Sequence, residues 1–143
     1  MDKKKFLIIA GSIMIAVIIF SLLIPIYLDD VGVERAFNNS YGKYNNLWLT
    51  DTYFDGINQE VIIKTPFNDI KEINEKQLTE VSKKFMMEIQ KYDIPKEMEA
   101  IWIIFTNSQG HSINSVWTSR EKIERVKWKK TTDSQFKNVM HFK

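Results

Sequence analysis

Two regimes of hydrophobic patterning divide the chain. From Phe6 to Leu28 there are 23 residues without a charge, whereas the stretch that follows alternates apolar and polar positions throughout. At 1.5 Å per residue the uncharged run makes roughly 34 Å of helix, against about 30 Å of bilayer hydrocarbon. It predicts a single transmembrane helix over residues 6–28, with Phe6, Ile9, Ile13, Val17, Phe20, Leu23 and Tyr27 spaced along it. A cleaved signal peptide is the competing reading. Its apolar core is typically about 7–15 residues and ends at a small-residue cleavage site, neither of which this run provides.

Lys3, Lys4 and Lys5 precede the run, while Asp29 and Asp30 follow it and Arg35 is the nearest later cation. The flank richer in Lys and Arg stays in the cytoplasm. This places residues 1–5 inside as a cytoplasmic tip and the rest outside, on the cell membrane of a bacterium, as the Ile-, Lys- and Asn-rich composition suggests.

Beyond the anchor, residues 29–45 are polar with a weak apolar pattern at Val33, Ala36 and Phe37, and read as a juxtamembrane linker or short helix. Residues 46–143 form the predicted domain. Leu47–Phe54 and Ile57–Thr65 are rich in β-branched and aromatic residues and flank Asp55-Gly56, a pair suited to a type I′ hairpin turn. In residues 74–92, Leu78, Val81, Phe85, Met86, Ile89 and Tyr92 recur at helical spacing behind a capping Asn74. That stripe fits a core-facing helix better than a partner groove.

Met98–Thr106 is apolar on both alternating faces, which predicts a central strand, or one lying under the helix and against a second layer. Ser112–Ser119 returns from a turn at Asn107–His111. Ser119 then caps a helical turn carrying Ile123 and Val126, and Thr132-Asp133 opens a short helix with Phe136, Val139 and Met140. The fold expected is α+β: one transmembrane helix, then a two-layer β-β-α-β-β(-α) domain with an antiparallel sheet and a helix on one face. Residues 30–143 should fold alone.

Charge adds little. The +2 of the 143-residue chain comes from its tip, since residues 29–143 balance 17 Lys and Arg against 17 Asp and Glu. A nucleic-acid partner is therefore not expected. The absence of cysteine removes disulfides, thiolate nucleophiles and cysteine zinc sites.

Candidate chemistry is sparse. His111 lies in a turn and His141 near the C-terminus, without metal-ligand spacing, so no metal or cofactor is expected. Asp51, Asp55, Glu60 and Asp69 could serve a hydrolase only if they converge in a cleft. Arg125, Lys127, Lys129 and Lys130 interleave with Trp128 and could meet an anionic surface, with the tryptophan at its interface. The competing reading is a solvated segment with Trp128 in the core.

The function expected is a non-enzymatic interaction or accessory module of the cell envelope, with immunity or inhibitor proteins as a special case. Its partners are the bilayer and another envelope protein or peptide. An extracytoplasmic hydrolase using the carboxylates is the alternative. The sequence does not fix the oligomeric state.

Overall fold

The computed structural model describes residues 2–23, 26–44, 46–72, 74–139 and 141–142, leaving aside the side chains of 23, 70, 137–139, 141 and 142. Helix α1 (Lys3–Leu23) is the one helix among the described residues long and apolar enough to cross a membrane. Its described side chains are exposed along the whole length. The Ser21 hydroxyl donates to the Val17 carbonyl at 2.8 Å, so it brings no unmet hydrogen bond into an apolar surrounding.

The described helix ends at Leu23, five residues before the predicted limit, and residues 24 and 25 lie outside the described residues. Of the seven spanning residues expected, Phe6, Ile9, Ile13, Val17 and Phe20 present exposed side chains on α1. Leu23 ends the helix with its side chain outside the described set. Tyr27 lies beyond it, in an isolated parallel bridge with Asp93. Asp93 N–H donates to the Ile26 carbonyl and Leu28 N–H to the Asp93 carbonyl, both at 2.8 Å, while Leu28 is buried in the domain core. Residues 26–28 therefore belong to the domain.

The stretch read as a linker is also structural. Asp29 accepts a hydrogen bond from Gly32 N–H at 2.8 Å and caps α2 (Asp30–Asn39). Val33, Ala36 and Phe37 on this helix enter the main core. Gly32 is small for a reason: a Cβ there would meet the Tyr92 ring at 3.1 Å.

Strands β1 (Trp48–Phe54) and β2 (Asn58–Lys64) form the expected hairpin, with different turn chemistry. Gly56 alone in the turn has positive φ, at 98°, which rules out type I′ geometry. Asp55 instead folds its carboxylate back onto the N–H groups of Ile57 and Asn58 at 2.8 and 2.7 Å. A bulge between Leu49 and Asp51 kinks β1.

Helix α3 (Glu75–Ile89) starts at Asn74, whose side chain accepts from Gln77 N–H. It leads to β3 (Ala100–Thr106), and a tight turn returns β4 (Ser112–Ser119). The sheet order is β1-β2-β3-β4, and the two-residue strand β5 (His141–Phe142) pairs along β4.

The sheet is mixed, which corrects the antiparallel expectation. β2 and β3 run parallel because α3 carries the chain back to the end of the sheet where β2 began. Short helices α4 (Arg120–Arg125), capped by Ser119, and α5 (Asp133–Val139) complete the chain. Met140, expected on the last helix, lies outside the described residues.

One face of the sheet makes the core. Val61, Ile63, Ile101, Ile103, Phe105 and Val116 are fully buried there and share a cluster with Val81, Phe85, Met86 and Ile89 of α3. Each such side chain contributes about 1.5–3 kcal/mol. Tyr41, just after α2, is fully buried beside Phe37, Phe85 and Phe105. Ser82 donates its own proton to the Leu78 carbonyl, so the Tyr41 hydroxyl donates to Ser82 Oγ at 2.6 Å.

Burial holds the Tyr41 phenol well above its ordinary value of 10.0, against a smaller opposing effect from Ser82. A raised folded-state pKa stabilises fully below the unfolded value and is lost as pH climbs above it. The domain should therefore weaken above pH 10.0, by about 1.4 kcal/mol per unit from this group. Tyr41→Phe should cost about 1 kcal/mol at neutral pH and remove that alkaline slope, as urea denaturation across pH would show.

Candidate functional site

Helices α2 to α5 gather on one face of the sheet, and the other face keeps half-exposed side chains along its strands. Residues paired directly across neighbouring strands share a face. The register runs Tyr53 opposite Glu60, Glu60 opposite Trp102, Trp102 opposite Trp117, and Trp117 opposite His141. From Tyr53 to Trp117 one row thus crosses four strands on the outer side.

The two indoles stack with centroids 5.4 Å apart and planes 19° from parallel. The Tyr53 hydroxyl donates to the Glu60 carboxylate, and this bond is the main reason its phenol is raised above the ordinary value. Ile62 and Ile104, paired in the same register, extend the apolar part of the face. The row combines aromatic area, a carboxylate and a phenol on a rigid sheet. That combination suits recognition of a partner surface, because aromatic residues bring large contact area at low entropy cost.

The sequence signal for this row was the second apolar face of β3, at Ala100, Trp102 and Ile104. That pattern allows either a central strand or contact with a second layer. On this face Ala100 is buried and Trp102 and Ile104 are half-buried.

The carboxylates separate into three places. Asp51 and Glu60 lie on the same outer face as diagonal neighbours, since Asp51 pairs with Ile62 and Tyr53 with Glu60. Asp51 accepts from the Thr52 N–H and Glu60 from Tyr53. Asp55 sits in the hairpin turn, where backbone donors from Asn58 and Ile57 lower its pKa, the wrong direction for a general acid. Asp69 lies past the far end of β2, where its carboxylate accepts from Lys71 N–H.

His111 is exposed in its turn, where Asn107 accepts from its backbone N–H. His141 is placed by backbone register alone. No group of three or more metal-ligating side chains forms among the described residues.

The basic segment resolves into two parts. Lys127, Lys129 and Lys130 are exposed, and Arg125 is exposed while bonding Glu121 at 2.7 Å. Trp128 is fully buried, donating its indole N–H to the Ile123 carbonyl at 3.3 Å and meeting Phe136 edge-on. It cannot place a ring at an interface, because its apolar area is already used in the core. The chain matches no protein-family model, and no significant match is found among curated proteins or solved structures.

Proposed function

We propose that the chain is a single-pass membrane protein, with its N-terminus in the cytoplasm and its domain outside. On this reading it acts as a non-enzymatic interaction module of a bacterial cell envelope. The observation that carries this reading is the outer row Tyr53–Glu60–Trp102–Trp117, an aromatic surface on a rigid sheet joined to an apolar helix of spanning length. The partner is another envelope protein or peptide, of which a toxin met by an immunity or inhibitor protein is the special case. β1 adds a second mode, since its free edge among the described residues offers backbone groups for strand addition, moderated by its bulge.

Site-specific photocrosslinking in intact cells tests this. A benzoyl-phenylalanine at Tyr53 or Ser115, both on the outer face, should give one discrete adduct, and Lys84 on the solvent side of α3 should give none. Trp102→Ser should abolish the adduct at Tyr53. Equal labelling from all positions, or none, argues against the interaction module. The hydrolase alternative rests on Asp51 and Glu60 sharing the outer face, and turnover lost in Glu60→Gln would favour it.

A further inference from the structure

The exposed apolar side chains of the domain are unevenly distributed. Beyond α1, seven large ones are exposed among the described residues. Trp48 and Tyr53 lie within β1, whereas Phe54 at its end shares one end of the molecule with Ile26, Tyr27, Val31 and Ile57.

Hydrogen bonds establish that these residues are neighbours. Gln59 donates to Asp30, beside Val31, at 3.1 Å, and Phe54 stands opposite Gln59 in the hairpin register. The Ile57 carbonyl accepts from Glu99 N–H at 2.7 Å. The Glu99 carbonyl accepts from Arg120 N–H at 2.8 Å, and Arg120 lines one cleft with Tyr27 and Asp93. Exposure is 62% at Tyr27, 55% at Val31, 40% at Phe54 and 52% at Ile57.

This is also the end where the chain leaves α1. Leu23 to Tyr27 is four residue steps, which reach at most about 14 Å when extended. The headgroup layer on each side of the hydrocarbon is about 5–7 Å deep. A helix filling the hydrocarbon therefore holds Tyr27, and the end it belongs to, in or just above that layer.

We infer that this end is a second membrane contact. The β1–β2 hairpin tip and the first turn of α2 seat Phe54, Ile57 and Val31 in the headgroup–acyl boundary of the bilayer that α1 crosses. The occupant is lipid because of continuity with the spanning helix, on which reading the inference rests. The charge around the contact selects the type of lipid surface. Asp29, Asp30, Asp55, Asp93, Glu97, Glu99 and Glu124 surround this end, against Lys96 and Arg120. The contact is therefore apolar in origin and independent of anionic lipid, unlike one made by the basic segment. It fixes the domain's tilt, so that the outer sheet face stands at a set angle to the membrane.

The chain contains no cysteine, so single cysteines report cleanly. Full-length Val31→Cys, Ile57→Cys, Gln109→Cys and Ile13→Cys, each carrying a polarity-sensitive fluorophore, would be reconstituted into phosphatidylcholine vesicles. Nitroxide lipids labelled at the headgroup or deep in the chain serve as quenchers. Probes at 31 and 57 should be blue-shifted and quenched by the headgroup nitroxide. The probe at 109, in the distal turn, should match water, and the probe at 13 should be quenched by the deep nitroxide.

Those shifts should persist when phosphatidylglycerol is added. A water-like signal at 57 with deep quenching at 13 overturns this contact and leaves the spanning helix standing. Absence of quenching at 13 overturns the spanning helix itself. A signal at 57 that appears only with the anionic lipid also overturns the inference.

Discussion

A soluble fragment beginning at Asp30 is expected to be less stable than one beginning at Ile26 by about 3–5 kcal/mol. The four residues between those starts do three things for the domain. Leu28 is 4% exposed within the main core, and losing a buried leucine costs about 2–5 kcal/mol. Asp29 caps α2, which is worth about 1 kcal/mol. The backbone bonds between Asp93 and residues 26 and 28 add about 0.5–1.5 kcal/mol each when intact.

Neighbouring contributions overlap, so the expected total stays below their sum. Against an overall stability of about 5–15 kcal/mol, this loss separates a folded fragment from a marginal one. Denaturant titration of residues 26–143 and 30–143 measures it. Equal midpoints would show that the segment after α1 is only a tether.

Trp128→Ala should destabilise the 26–143 fragment by about 3–5 kcal/mol, while Lys129→Ala and Lys130→Ala should each stay within about 0.5 kcal/mol. The three residues are consecutive and look like one basic-aromatic motif in the sequence. They divide because the short turn at Trp128–Lys130 directs the indole under α3 and α5 and both lysines to solvent. Trp128 is one of two side-chain donors to the Ile123 carbonyl, beside Gln90 at 2.8 Å, so the loss is mainly of packing. Trp128→Phe should recover much of the loss by refilling the space beside Phe136. Thermal or denaturant unfolding of the four variants decides between a core residue and a surface residue.

What could be read from the sequence followed the strength of local patterning. α3 was legible because its apolar stripe is regular and Asn74 marks its start. The hairpin over residues 48–64 was legible from two β-rich runs around a turn pair, although Asp55 serves that turn through its carboxylate rather than through positive φ. α2 was not legible as part of the core. Its buried set is only Gly32, Val33, Ala36 and Phe37, and acids flank its start.

The parallel pairing of β2 and β3 depends on where α3 delivers the chain, a tertiary fact that strand composition does not carry. Asp93 shows the limit most sharply. In the sequence it closes a helix before Ile94-Pro95, and in the fold its backbone holds the segment that leaves α1. The outer row was hidden for a similar reason. Tyr53, Glu60, Trp102 and Trp117 come from four strands, and only the register aligns them.

The account depends most on a spanning α1 with the domain outside. A membrane-impermeant maleimide applied to intact cells tests that directly, in full-length Gln109→Cys and Lys4→Cys proteins. The account predicts that Gln109→Cys is labelled at once and Lys4→Cys only after the membrane is permeabilised. Labelling of Lys4→Cys in intact cells, with Gln109→Cys protected until permeabilisation, would contradict it.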